Sequence, residues 1–324
     1  MQQIEDRFNA QARYPWTFLC DEPLTEDFKT RVSTMTDSPI SFDVIPAEHW
    51  GLPDWINGTR AEQVRKNMGL LRIPQGGRRR ETSRSHARLR PDQLTRQRTV
   101  CVCLGSLTES FDLASRSFRN LSRFNAGFLA RQDILRSYRY YWRIQPGSQY
   151  FCDFLEDPFE IMREGKIYAF NMALREMEQT VSTLWEAVYD FMQEHKLRIN
   201  TGSNLAGFVT EDEDTYTLCH YESSFEVVDM KFLRSPAYLT FFDYLDKKGG
   251  IFYERWDSAS ILSIALSLFL HKEELFFQDG IGYRHGDIQH CPQGDAYRTR
   301  RCACDPKKNF DLDQRSCLGK WQGL

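Results

Sequence analysis

Apolar residues recur along this chain at two spacings. Phe111, Ala114, Phe118, Leu121 and Phe128 fall on one face of a helix running from about Phe111 to Leu129. From Thr180 to His195, the positions Val181, Leu184, Trp185, Val188 and Met192 repeat at three and four residues and predict a second, stronger helix. Ser235-Pro236 supplies a cap and a first-turn proline, and Gly249-Gly250 supplies a stop, so a helix is predicted up to Lys248. Ser258–Lys272 is predicted helical as well. Short runs of aromatic and β-favouring residues at Tyr14–Cys20, Tyr138–Ile144, Lys166–Asn171 and Leu275–Phe277 predict strands. Strands interleaved with helices imply an α/β fold with a mostly parallel central sheet.

One stretch breaks the pattern. From Leu71 to Arg98, Arg, Ser and Gln dominate, Arg78-Arg79-Arg80 among them, and apolar periodicity vanishes. A disordered basic insertion near 69–100 is expected. It lacks the interleaved aromatics of a nucleic-acid surface, and the formal net charge of −3 gives no bulk attraction to nucleic acid or membrane. No nucleic-acid partner is expected. A length of 324 residues allows one large domain or two ordinary ones, with a sizeable core. The longest apolar stretch, Ile261–Leu270, is shorter than the roughly 20 residues a bilayer needs. Met1-Gln2-Gln3-Ile4-Glu5-Asp6 has neither the basic start nor the apolar core of a signal peptide.

The cysteines change the picture. Cys291, Cys302, Cys304 and Cys317 crowd the C-terminal end, which suggests disulfides formed in an oxidising compartment. The rival reading is a metal site shared with His285 or His290. Cys302-Ala-Cys304 has the wrong spacing for the usual Cys-x-x-Cys pair, which favours disulfides. Two sequons, Asn57-Gly-Thr59 and Asn120-Leu-Ser122, permit glycosylation.

A series of phrases carries a resemblance. They are Tyr14-Pro-Trp-Thr-Phe-Leu-Cys-Asp-Glu-Pro23, Ile45-Pro-Ala-Glu-His-Trp50, Arg123-Phe-Asn-Ala-Gly-Phe128 and Tyr140-Tyr-Trp-Arg-Ile-Gln-Pro146. Cys152-Asp153, Asp157-Pro-Phe159, Ser224-Phe-Glu-Val227, Phe232-Leu-Arg-Ser235 and Tyr244-Leu-Asp-Lys-Lys-Gly-Gly250 follow. Phe252-Tyr-Glu-Arg-Trp256, Gly282-Tyr-Arg-His285, Cys291-Pro292 and Cys302-Ala-Cys-Asp-Pro306 complete them. In this order they resemble the fungal GDP-mannose-dependent α-1,2-mannosyltransferases of the Golgi, of the glycolipid 2-α-mannosyltransferase type, over residues 1–68 and 116–321. The resemblance implies a GT-A-like, Rossmann-related mixed sheet flanked by helices, here one catalytic domain over 1–324. It implies transfer of mannose from GDP-mannose to a mannosyl acceptor on protein or lipid glycans, with retention and with Mn²⁺ as cofactor. It implies residence in the Golgi lumen, with membrane contact only through an anchor absent from this chain. The chain begins in the helix that follows the family's first strand. The sheet is therefore expected to lack that strand and to expose ladder groups where it is missing.

The same resemblance assigns site residues. His285 corresponds to a metal ligand, and imidazole suits Mn²⁺. The partner ligand, a glutamate in the family, is Gln145 here, so weaker metal binding is expected. Asp153, eight residues on, compensates if the intervening turn brings it near. Glu226 corresponds to the proposed nucleophile, which either attacks the anomeric carbon or stabilises an oxocarbenium-like transition state. Phe118, Arg123, Ser224, Glu254, Arg255 and Trp256 correspond to substrate-binding positions. Phe118 replaces a tyrosine and Ser224 an asparagine, while Ser258 and Leu262 stand where the family has an acid and a histidine, with Asp257 one step away. Arg255 reads as a phosphate-pairing cation or as half of a buried salt bridge. Three functional readings stay open: an active mannosyltransferase, a non-catalytic relative that binds a glycan or partner, and a truncated inactive product.

Overall fold

A computed structural model of the chain describes residues 1–70, 99–104, 116–197 and 205–324. The expected loop over 71–98 and the first residues of the helix expected from Phe111 lie outside them. Among the described residues twelve strands run in chain order: β1 Trp16–Cys20, β2 Ile40–Val44, β3 Thr99–Leu104, β4 Tyr140–Ile144, β5 Gln149–Tyr150, β6 Tyr168–Phe170, β7 Ala173–Arg175, β8 Cys219–Tyr221, β9 Phe225–Asp229, β10 Leu275–Phe277, β11 Tyr283–His285 and β12 Ile288–His290.

Seven of them form the central sheet, in the order β10-β6-β9-β4-β3-β1-β2. All its pairings are parallel except those of β9, which runs against β4 on one side and β6 on the other. The gap expected from a missing strand is not open. β3 lies between β1 and β4 and is hydrogen-bonded to both, so the ladder groups of β1 are paired on each side. Antiparallel β5, β11 and β12 form a second sheet, and β7 and β8 a third.

Alternation along the strands divides the interior in two. Leu19, Tyr141, Tyr168, Phe170 and Val228 belong to one apolar cluster; Trp16, Phe18, Trp142, Ala169, Phe225 and Val227 belong to the other. Helices Leu184–Glu194, Pro236–Lys248 and Ser258–Phe269 cover the first face. The N-terminal helical turns, through Ile4 and Phe8, and Val32 cover the second. A sheet buried on both faces explains why β4 reads Tyr-Tyr-Trp-Arg-Ile with every residue buried.

The predicted helix after Ser235 has the expected ends. The Ser235 hydroxyl accepts the Tyr238 amide at 3.2 Å, and Gly249 closes the helix at φ 80°. The helix predicted to Leu129 is an α-helix over Arg116–Arg123 that widens to π geometry over Phe124–Phe128. There Gly127 faces Phe242, and an added Cβ would lie 1.9 Å from that ring, so only glycine admits the contact.

Among the described residues, three disulfides join Cys152 to Cys302, Cys219 to Cys317 and Cys291 to Cys304. The Cys152, Cys302 and Cys304 sulfurs are therefore covalently committed, and the disulfide reading holds over the metal one. The two sequons differ: Asn57 is exposed, whereas Asn120 is buried, so the folded protein presents only the first. No described helix is long and apolar enough to cross a membrane.

Candidate active site

The carboxyl ends of the parallel strands share one edge of the sheet, and β9, running the other way, begins there. In open α/β sheets ligands bind at that edge. Glu226 is the second residue of β9, paired with Arg143 of β4 and Phe170 of β6. Period-two alternation turns Glu226 to the same face as Tyr141, Arg143 and Tyr168.

Those three side chains surround it. The Tyr141 hydroxyl donates to Glu226 Oε1 at 2.6 Å and the Tyr168 hydroxyl to Oε2 at 3.3 Å. Arg143 Nε approaches Oε1 to 3.2 Å as an ion pair, without the alignment of a hydrogen bond, while the far end of its guanidinium donates to the Ser223 carbonyl. Glu226 and Arg143 are both 2% exposed. Burial pushes the Glu226 pKa up, and Arg143 and the two tyrosine hydroxyls oppose that rise without cancelling it. Burial also drives both tyrosines well above the ordinary phenol range, so they remain donors.

Beside this cluster the turn between β8 and β9 carries Glu222 and Ser224. Glu222 is buried; its Oε1 accepts the Ser224 amide at 3.0 Å and its Oε2 the Phe225 amide at 3.2 Å. His285 ends β11, with Nδ1 3.8 Å from Glu222 Oε1. Gln145 follows β4 and, by continuation of the Ile144–Phe225 register, stands opposite Ser224. Its carbonyl accepts the Ser148 amide at 3.2 Å, and Ser148 meets the Tyr283 hydroxyl at 3.2 Å. Glu226, Ser224, Gln145 and His285 are thus gathered at one edge. Asp153 is not with them: it pairs with Arg7 at 3.1 Å and with Arg301, so it is no substitute for the charge missing at Gln145.

The other expected site residues sit on different elements. Arg123 makes a buried bidentate pair with Asp246, with contacts at 2.8, 3.1 and 2.9 Å, and stacks over Phe128. Glu254 accepts from the Thr183 hydroxyl at 2.7 Å and from the Trp256 indole at 2.8 Å. Trp256 is buried so closely that a Cβ on Gly250 would meet it at 2.0 Å. Arg255 pairs with Glu176 at 3.0 Å, the salt-bridge alternative, and lies 5.8 Å from the Phe118 ring. Glu176, His220 and Asp257 bring ligand-type atoms within 4.8 Å of one another. Arg255 already balances Glu176, and Asp257 caps its helix through the Ser260 amide at 2.7 Å, so this second group reads as structural.

Sequence reasoning missed Tyr141, Tyr168, Arg143 and Glu222. Tyr141 and Arg143 were findable, because two residues apart on a predicted strand means a shared face. Tyr168 lies on a predicted strand whose partner strand β9 was not foreseen. Glu222 had no pattern to betray it.

Comparison with known proteins adds the following. The family described as glycolipid 2-alpha-mannosyltransferase matches residues 1–90 and 107–324, so the match runs further into the basic stretch than the phrases themselves do. Alpha-1,2 mannosyltransferase KTR1 of Saccharomyces cerevisiae is 36% identical over 327 residues, covering 100% of this chain and 74% of that protein. Glycolipid 2-alpha-mannosyltransferase of the same yeast is 34% identical, covering 97% of this chain and 63% of that protein. Among solved structures, the mannosyltransferase Ktr4p from S. cerevisiae in complex with GDP superposes with a TM-score of 0.81 at 30% identity, covering 99% of this chain and 76% of that one. Core-mannan synthase A from Aspergillus fumigatus, in its Mn/GDP form, gives a TM-score of 0.81 at 27% identity, covering 99% and 79%.

Proposed function

The chain belongs to the glycolipid 2-alpha-mannosyltransferase family, and from that membership we propose that it transfers mannose from GDP-mannose to a mannosyl acceptor on protein or lipid glycans, with retention and an α-1,2 linkage. The observation that carries the reading is the buried Glu226 carboxylate, held by Tyr141, Tyr168 and Arg143 at the ligand-binding edge of the sheet. In this reading the whole of 1–324 serves as one catalytic domain, working in the Golgi lumen, where three disulfides are at home.

Transfer requires the donor's bond to the diphosphate to break while positive charge grows at the anomeric carbon. Glu226 faces that charge, either as nucleophile or as electrostatic stabiliser. Both roles need the ionised form. Burial favours the protonated form, and Arg143 with the two hydroxyls works against it. Tyr141 and Tyr168 also fix the carboxylate's orientation, so they are positioning residues.

The donor set beside Glu226 fits a divalent cation: the His285 imidazole, the Gln145 amide and a carboxylate 3.8 Å from His285. Mn²⁺, present with GDP in the Aspergillus relative, is the ion proposed for this site. When bound it would neutralise charge on the diphosphate. Ser224, Phe118, Arg123, Glu254, Arg255 and Trp256 would then shape the substrate pocket. For Arg123, Glu254 and Trp256 the support is for a supporting role, since each is engaged within the protein.

The test is mannose transfer from GDP-mannose to an α-mannoside with Mn²⁺ present. Wild-type protein should transfer, and Glu226→Gln should lower kcat by about 10³-fold or more while GDP binding persists. Folded wild-type protein that releases no GDP overturns the reading. Gln145 in place of a carboxylate favours a second reading, a non-catalytic relative, and that result would select it.

A further inference from the structure

We propose that Glu222, rather than Gln145, supplies the anionic ligand for the divalent cation that binds beside His285. The inference rests on the transferase reading and specifies how this chain holds its metal.

Geometry is the first support. The 3.8 Å between His285 Nδ1 and Glu222 Oε1 is too long for a hydrogen bond, which spans about 2.7–3.2 Å. It is a natural separation for two ligands of one ion. Ligand atoms each about 2.1–2.3 Å from a metal lie at most about 4.6 Å apart. Among the described residues the His285 ring makes no hydrogen bond, so its nitrogens are available. The His285 side chain is 35% exposed, which leaves the ion a route from solvent.

Charge is the second. Glu222 is 8% exposed, and each of its oxygens accepts one backbone amide, leaving lone pairs on both. Those amides fix the carboxylate at the start of β9 without neutralising it. Glu226, a buried acid of β9, is matched by Arg143. Arg143 acts on Glu222 only at longer range, its contacts going to Glu226 and the Ser223 carbonyl. A buried carboxylate without a contacting cation is costly. A divalent ion between Glu222 and His285 removes that cost.

Chemistry is the third. A carboxylate and an imidazole form a good pair for Mn²⁺, and affinity for hard cations rises with ligand charge. Gln145 offers at most a neutral oxygen. The anionic charge that the resemblance placed on the end of β4 is therefore provided from the neighbouring strand's turn, across the same register.

Mn²⁺ binding in the presence of GDP, read from the loss of the free-ion electron paramagnetic resonance signal, tests this without any turnover. Glu222→Gln should weaken Mn²⁺ binding by about 30-fold or more, and His285→Ala by at least as much. Gln145→Ala should change it less than about 3-fold, an amide oxygen adding no charge. Glu222→Gln combined with Gln145→Glu should recover most of the affinity, because charge returns to the same ion; a role for Glu222 in merely orienting His285 would not be rescued this way. If Glu222→Gln does not fold, Glu222→Asp keeps the charge but withdraws it by one methylene, and an intermediate loss is expected. Unchanged binding in Glu222→Gln, or a loss in Gln145→Ala equal to that in His285→Ala, overturns the proposal. Wild-type protein that binds GDP but no Mn²⁺ overturns it alone; protein that binds neither overturns the transferase reading as well.

Discussion

His290 shows how a single side chain can tie stability to pH. It is buried, with Nδ1 2.7 Å from Asp311 Oδ2 and Nε2 2.8 Å from the Asp279 carbonyl. Both partners are acceptors, so only the doubly protonated ring satisfies both. Burial pulls the pKa down, but Asp311 and Asp279 outweigh it and the pKa ends above the ordinary histidine value. A raised folded-state pKa stabilises fully below the unfolded value of about 6.5 and loses that contribution as pH rises through the folded value. The melting temperature should therefore decline as pH rises above about 6.5. Asp311→Asn should flatten the decline and cost about 2–4 kcal/mol in acid, by thermal unfolding across pH. Residue identities at the site were legible only where a motif marked them, as at Glu226 and His285. Glu222 was not, because its role depends on a turn that brings it to a histidine 63 positions later, and no local pattern encodes that approach.

Elements with strong periodicity or punctuation were legible. Leu275–Phe277 is β10 to the residue, and the helix bounded by Ser235 and Gly249 has its predicted cap and stop. Those hidden were the ones whose partners make them strands. β9 interrupts its apolar run with Glu226, and β11 and β12 are largely polar, so alternation alone gives no signal. The β11 strand is instead fixed by its surroundings. An added Cβ on Gly282, just before β11, would come within 2.4 Å of Cys152 Sγ and 3.4 Å of Cys304 Sγ. Gly282→Ala should cost about 1–3 kcal/mol by overpacking against the bridges. Because His285 lies three residues on, the same change should weaken Mn²⁺ binding. Denaturant unfolding and metal titration of that variant test the two effects together; a stable variant with wild-type binding would show that the strand is not held this way.

At the scale of the molecule, covalent closure is uneven. Cys152–Cys302 spans 150 residues, Cys219–Cys317 spans 98 and Cys291–Cys304 spans 13. Loop-closure entropy assigns about 4–5 kcal/mol to each long span and about 3 kcal/mol to the short one. Replacing Cys219 and Cys317 together by serine should therefore destabilise by about 1–2 kcal/mol more than replacing Cys291 and Cys304, as read from denaturant midpoints. Among the described residues every bridge takes its second cysteine from positions 302, 304 or 317. During synthesis, then, none of these three pairs is complete until Cys302 has left the ribosome. Cys152, Cys219 and Cys291 emerge first and wait, reactive, with only wrong partners in reach. Maturation of this protein is for that reason a reshuffling problem as much as a folding one, and its yield should follow the supply of disulfide isomerase more closely than that of oxidant.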